Sequence, residues 1–388
     1  MGVTNLPTIG IACYASQGGS GIVASELGLL LARTGYEVHF ISSSLPWRLH
    51  HYERNVFYHQ VEVANYPVFH HPPYTLSLAT KMSEVATEHG LDILHVHYAI
   101  PHAASAFLAQ QMVGPDRLRV ITTLHGTDIT LVGQEPSFFP ITKFLIERSD
   151  AVTAVSEFLR RETEQVFHIT RGIDVIPNFV DTRHFHPVED KARRNQFAAS
   201  GERLILHASN FRKVKNVPTV VDVFARLAED IPCRLLLIGE GPESRTVQQR
   251  VTDLGVTNKV QFLGQLENME EILPLADLLL LPSQHESFGL VALEAMSCGT
   301  PVIATTVGGT SEFIDSGHNG FLCDPDDIES MVAAARRLFQ DGVLYQHVAE
   351  EARRDAVEKF GARCVLKQYL ELYDRVMGSA VKADTRRG

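Results

Sequence analysis

Cysteine is scarce in this chain of 388 residues. Its five thiols (Cys13, Cys233, Cys298, Cys323 and Cys364) are scattered, odd in number and form no CxxC. That excludes a disulfide framework or a cysteine-built zinc site and points to buried thiols in a reducing cytoplasm. Long hydrophobic runs are also missing. No stretch approaches the twenty apolar residues that a membrane-spanning helix needs. A basic stripe is missing too. With 35 Lys and Arg against 46 Asp and Glu the net charge is −11, which argues against a nucleic-acid backbone as partner. The opening residues, Met1 to Pro7, lack the charged and apolar regions of a signal peptide, and Gly2 with Leu6 misses the myristoylation pattern, which wants Ser or Thr there. The expected location is the cytoplasm, with no stable membrane association.

The composition that remains, 45% hydrophobic and 21% charged, is that of a globular protein. Its length exceeds one ordinary core, so two domains are expected. Short apolar strands alternate with helical segments, the signature of α/β architecture with parallel sheets. The first series is Thr8–Tyr14, Glu37–Ser42, Leu91–Tyr98, Arg119–Leu124, Ala151–Val155 and Asp174–Ile176, with a first helix from about Ile22 to Arg33. The Pro-, His- and Tyr-rich region Leu45–Tyr74 breaks the rhythm and reads as irregular. A break from Pro177 to Phe197 precedes a second series: Leu204–Ala208, Arg234–Ile238, Lys259–Leu263, Leu278–Leu281, Val302–Ala304 and Gly320–Cys323. Helical stretches follow over Asp327–Gln340 and Leu344–Met377, then a polar tail from Gly378, read as disordered. Two doubly wound domains are expected, at 1–177 and 178–360, with 361–388 a closing helix and tail that packs back on the first. Ligands would bind in a cleft at the carboxyl ends of both sheets.

The most informative residues are Glu286 and Glu294, eight positions apart. Glu286 lies in the loop after an apolar strand, and Gly289–Cys298 reads as a helix whose first amides lack internal partners. An anion is favoured there. One carboxylate beside that anion site and a second on the first helical turn suit a nucleotide sugar. The alternative is two surface glutamates flanking a buried helix. Gly18-Gly19-Ser20-Gly21 opens the first helix, and its glycines let backbone amides approach an anion closely. Gly19, Gly21 and Ala24 give a variant dinucleotide fingerprint, but the acid that fingerprint wants after the second strand is replaced by Ser42-Ser43-Ser44. A structural turn is the other reading.

His125 ends an apolar strand in Thr122-Thr123-Leu124-His125-Gly126-Thr127-Asp128, where α/β folds place catalytic groups. A lone histidine there is otherwise structural. His95 and His97 share a strand face and could form half of a metal site, or a polar wall with Tyr98. Arg212 and Lys215 follow the first strand of the second series and suit a diphosphate, or are a solvated basic loop. Gly239-Glu240-Gly241-Pro242 is a tight turn fit to lie beneath a base and ribose. Asp324-Pro325-Asp326 resembles a metal-binding D-x-D but directly precedes a helix, where Asp is a favoured cap.

Taken together, Gly18–Gly21, His125, Pro177-Asn178, Arg212 with Lys215, Gly239–Pro242 and the Glu286/Glu294 pair resemble the retaining family 4 glycosyltransferases of the GT-B fold, in family order over nearly the whole chain. One departure is that the family commonly places an Arg five residues before the Lys, and Asn210 stands there. The resemblance implies donor contacts from Gly19, Asn178, Gly239, Gly241, Pro242, Glu286, Ser287, Phe288, Gly289, Leu290 and Glu294. It implies that His125, Lys215, Arg212 and Glu286 serve the reaction, with no metal or other cofactor. Cys13-Tyr14 with Gly18–Gly21, Leu91–His102, Thr122–Thr130 and Ser209–Lys215 resemble most the branch of that family that moves N-acetylglucosamine from UDP-GlcNAc to L-malate, the first step of bacillithiol biosynthesis, and imply that activity. Ser20, Tyr98 and Thr123 are then candidates for the acceptor, with Arg48 or Lys81 as a supporting cation. A homo-oligomer is compatible with this reading. The rivals are a family 4 enzyme with a sugar or lipid acceptor, a UDP-GlcNAc epimerase of the same architecture, and a non-catalytic nucleotide-sugar-binding protein.

Overall fold

The computed structural model describes residues 6–15, 18–63 and 71–384. The chain divides into two compact units, one running to Asn178 and resuming at Val365, the other spanning Phe179–Cys364. In the first unit seven parallel strands lie in the order β3-β2-β1-β4-β5-β6-β7. They are β1 (Ile9–Ala12), β2 (Val38–Ser42), β3 (Val56–Gln60), β4 (Ile93–His97), β5 (Arg119–Leu124), β6 (Ala151–Ala154) and β7 (Asp174–Val175). The second unit has six parallel strands in the order β10-β9-β8-β11-β12-β13. These are β8 (Arg203–Ala208), β9 (Cys233–Ile238), β10 (Val260–Gly264), β11 (Leu278–Leu281), β12 (Val302–Thr305) and β13 (Phe321–Cys323).

Central strands such as β1 and β11 are buried at every residue. That is why they read as unbroken apolar runs: helices cover a parallel sheet on both faces. In each sheet the strand order reverses once, between β1 and β4 and between β8 and β11. At such a switch point the loops leaving the carboxyl ends of two adjacent strands part company and open a crevice. Residues after β1, β4, β8 and β11 are therefore the ones the topology selects for ligands.

Three expectations are corrected. The region 45–74 contains a strand, β3, paired in parallel with β2 from Val38↔Val56 to Ser42↔Gln60. Only one of its five residues is strongly apolar on the covered face, so periodicity missed it; residues 64–70 lie outside the described set. The closing helix is two helices, Gly342–Phe360 and Ala362–Asp384. Gly361 adopts extended backbone between them and bridges to Val180. The last helix runs on past Gly378, where a disordered tail was expected. It belongs to the first unit, with Tyr369 and Tyr373 fully buried there. Among the described residues no helix is long and apolar enough to cross a membrane.

Candidate active site

In the second unit, Lys215 closes a short helical turn, Lys213–Lys215, after β8, and Glu286 lies in the loop after β11. The two loops flank the switch point, and their side chains meet: Lys215 Nζ is 2.5 Å from Glu286 Oε2. Both are largely shielded, at 21% and 13% exposure. Ser283 Oγ lies 3.5 Å from the same carboxylate oxygen. Arg212, which begins this turn, is exposed and has no ion-pair partner among the described residues, so its fork is available to an anion.

The loops around this pair are held by backbone against backbone. Gly308 and Gly309 follow β12, and a Cβ on either would lie 2.0 Å from Glu286 O or 2.3 Å from Ser287 O. Gly309 N donates to Glu286 O at 2.8 Å. This glycine pair was missed in the sequence, although two adjacent glycines after a strand signal a close backbone approach. The turn Gly239–Pro242 has the same logic. Cβ atoms there would lie 1.8 Å from Ser209 O and 2.0 Å from Asn210 O, and Gly239 has φ +110°. So Gly239 and Gly241 press the turn against the loop that carries Arg212.

Gly289, at φ +93°, caps the helix Leu290–Ser297. The Phe288 side chain is buried and stacked on Phe313 at 5.1 Å. It anchors the loop. Glu294 is 7% exposed and is the fifth residue of the helix, on its second turn. The expectation of a first-turn position is corrected accordingly. Asp327, next to the D-x-D, caps the helix Ile328–Gln340, and Asp326 accepts from Asn216 Nδ2 at 2.7 Å.

In the first unit, Gly18 caps helix α1 (Gly19–Arg33), which starts three residues earlier than periodicity alone suggested. Gly19 is exposed and Ser20 half-buried at its open end. Past β4, Tyr98 adopts φ +97° and its ring stacks on His125, centroids 5.6 Å apart at 16°. His125 Nε2 is 2.9 Å from His97 Nδ1. Asp128, fully buried, accepts from Gly126 N at 2.8 Å, Ala99 N at 3.0 Å and His125 N at 3.2 Å. It ties the loop after β5 to the loop after β4. Its role went unread, though short acids commonly bond neighbouring backbone amides at turns. Burial pushes the His125 imidazole down to about 3, with His95 and His102 adding repulsion, so the ring is neutral at physiological pH.

Thr123 and His95 turn inward. Thr123 Oγ1 is 2.7 Å from His95 Nε2 and 2.7 Å from Thr153 Oγ1, and His95 Nδ1 is 2.7 Å from Tyr373 OH. With both ring nitrogens engaged, His95 has none left for a metal, and Thr123 supports the network where an acceptor contact was expected. Arg48 pairs with Glu26 at 3.3 Å, and Lys81 with Glu84 at 2.6 Å. Asn178, 6% exposed, holds its side-chain oxygen buried without a hydrogen-bond partner among the described residues.

Two family models cover this architecture. The model "Glycosyltransferase Family 4" matches residues 17–184 and "Glycosyl transferases group 1" matches residues 188–355. The N-acetyl-alpha-D-glucosaminyl L-malate synthase of Bacillus anthracis is 46% identical over 370 residues, 95% of this chain and 97% of that one. The chain belongs to the family 4 glycosyltransferases. An uncharacterized glycosyltransferase of Methanocaldococcus jannaschii is 26% identical over 93% of the chain. Among solved structures, Anabaena HepE in complex with UDP and glucose matches with TM-score 0.81 at 20% identity, over 95% of this chain and all of that one. Sucrose-phosphate synthase from Thermosynechococcus elongatus also reaches 0.81 at 21% identity, over 96% of this chain. This glycosyltransferase accordingly has the GT-B fold, with two Rossmann-like units.

Proposed function

We propose that this glycosyltransferase moves N-acetylglucosamine from UDP-GlcNAc to the hydroxyl of L-malate, with the α configuration retained. The observation that carries the reading is the 46% identity to the Bacillus anthracis malate synthase, sustained over nearly the whole of both chains. The reaction forms a bond between the malate hydroxyl oxygen and C1 of the sugar and breaks the bond from C1 to the β-phosphate oxygen. In same-face attack the hydroxyl proton passes to the departing phosphate oxygen, leaving UDP and the glycoside.

Each residue then has a task that its surroundings support. Lys215 and the exposed fork of Arg212 neutralise the leaving diphosphate, with the amides of Ser287 to Leu290 at the open helix end. Charge is thereby stabilised where it develops, and no step calls on a metal. The 2.5 Å contact between Lys215 and Glu286 holds both side chains in place, and Glu286 accepts from sugar hydroxyls. Glu294 takes ribose hydroxyls, and the turn Gly239–Pro242 underlies the base. His125, neutral and oriented by His97, offers a polar contact to the reacting sugar without adding charge. Ser20, Tyr98 and the amides of Gly19 to Gly21 receive the acceptor, whose two carboxylates suit the open end of α1.

The experiment is incubation with UDP-GlcNAc and a panel of hydroxy acids, reading UDP release and product mass. UDP release dependent on L-malate, with a product of glycoside mass, is expected. Acid-independent UDP release with an isomerised sugar would make the protein an epimerase. Binding of UDP-GlcNAc without turnover would make it a non-catalytic sensor.

A further inference from the structure

Three histidines outside the candidate active site converge at the edge of the first sheet. His39 on β2 pairs in register with Phe57 on β3, and Ile41 with His59. Residues two apart share a strand face, so His39, Phe57 and His59 emerge on one side of the sheet. Helix α2 (Tyr74–His89) crosses that side and ends there, with Gly90 in the left-handed region behind it. Its last residue, His89, brings its ring centroid to 4.5 Å from that of His39 and 5.1 Å from that of His59. One nitrogen from each ring lies within 4.8 Å of the other two, the one such group among the described residues.

The hydrogen bonds orient these rings. His39 Nε2 is 3.0 Å from Glu37 Oε1. An ionised carboxylate can only accept, so Nε2 carries the proton and Nδ1 presents a lone pair. That lone pair faces His59 Nε2 at 2.8 Å. A histidine whose far nitrogen donates to a carboxylate while its near nitrogen faces other ligands is the usual setting of a metal-bound imidazole. His39 is fully buried, His59 half-buried and His89 exposed, so an ion could enter from the α2 side. Lys81, the cation that faces His59, is itself held by Glu84 at 2.6 Å, with Glu62 and Glu88 beside it.

We propose that His39, His59 and His89 form a binding site for a borderline divalent transition metal, zinc foremost, with Glu37 as the outer carboxylate. Three imidazoles suit Zn²⁺, Cu²⁺ or Ni²⁺ and not Mg²⁺ or Ca²⁺. Binding moves the His59 proton from Nε2 to Nδ1, and the facing nitrogens of His39 and His59 move from 2.8 Å to about 3.3 Å apart, the spacing that a tetrahedral ion with bonds near 2.05 Å imposes. Water completes the shell. The ion would staple the end of α2 to the sheet edge. His39 sits one residue into β2, whereas His125 follows the end of β5, so the role is structural.

The test uses the full chain stripped with chelator, then titrated with Zn²⁺ by calorimetry and with Co²⁺ by visible absorption. One equivalent of Zn²⁺, a tetrahedral Co²⁺ spectrum and a rise in Tm on adding zinc are expected. His89→Gln, at an exposed ring, should weaken binding at least a hundredfold and cancel the rise in Tm. Glu37→Gln should weaken it about 10- to 100-fold, the scale of losing an outer-shell partner. His184→Gln, an exposed ring in the other unit, should bind as the wild type does. Absence of saturable binding, or binding equal in wild type and His89→Gln, would overturn the site. Chelation should leave kcat unchanged; a kcat loss that zinc restores equally in His89→Gln would place a metal in the transferase chemistry instead.

Discussion

The two units of this glycosyltransferase share one order over six strands but carry their polar groups in different ways. Among the described residues the first buries four histidines, His39, His95, His97 and His102, inside or beside its sheet. The second buries one, His207, whose nitrogens go to Leu280 O and Ser209 Oγ at 2.8 Å each. In its place the second unit uses glycines that let loops touch backbone to backbone around one lysine–glutamate pair. A site made of imidazoles depends on protonation state. A site made of close backbone approach depends on the absence of Cβ atoms. Each can be broken by a perturbation that spares the other.

The largest expected effect is acid destabilisation of the first unit. Burial pushes His95 down to about 3 and His102 to about 4, and His97 well below its usual range. All three are neutral when folded, while in the unfolded chain each takes up a proton near pH 6.5. Their contribution is complete above that pH and is lost as pH falls toward the folded values. By pH 4.5 His95 and His102 each cost on the order of 3 kcal/mol, and His97 acts in the same direction, a large share of a domain's stability. The second unit has His207 alone, pushed down by burial to about 4. Amide exchange between pH 7 and 4.5 should show β4 and β5 losing protection before β8 and β11. Equal loss in both units would remove the distinction.

Next is Lys215→Ala, expected to lower kcat/KM on the order of 100- to 1,000-fold, the scale of one lost donor to a developing anion. Tm should fall as well, because both side chains are largely shielded and Glu286 is left without its cation. A loss below about threefold would remove Lys215 from the reaction. Gly308→Ala follows. Its φ of +90° and the 2.0 Å approach to Glu286 O leave no room for a Cβ. Backbone strain of about 1–3 kcal/mol must be relieved by moving the Glu286 loop. UDP affinity by calorimetry should fall about tenfold or more, and unchanged affinity would show that the loop tolerates the shift.

Much of this was legible in the sequence because strong local rules coincided. Arg119–Leu124 and Leu278–Leu281 are strands with the bounds periodicity gave them. Lys215 and Glu286 were read as following strand ends, and the sheet order sets both of those strands, β8 and β11, at the switch point. What was illegible depends on tertiary contact. β3 borrows its stability from β2 and α2, so its own pattern is weak. Gly361 looks like any helical glycine until Val180 bridges to it. The His39, His59 and His89 group spans fifty residues of sequence and forms only when β2, β3 and α2 meet.

Thr123→Val is the smallest effect and the one that most sharpens the contrast. If Thr123 touched the acceptor, losing its hydroxyl would raise the KM for malate about tenfold and leave Tm alone. The geometry argues otherwise, because the hydroxyl is enclosed between His95 Nε2 and Thr153 Oγ1 at 2.7 Å each. Valine keeps the volume but strands a buried imidazole nitrogen and a buried hydroxyl. Leaving such groups unsatisfied costs about 1–3 kcal/mol. Tm should therefore fall by a few degrees while KM changes less than twofold. His95 would also hold Tyr373 as its one remaining partner, so the last helix should exchange its amides faster. A tenfold rise in KM with Tm unmoved would turn Thr123 outward and make the first unit's site a substrate surface rather than a scaffold of imidazoles.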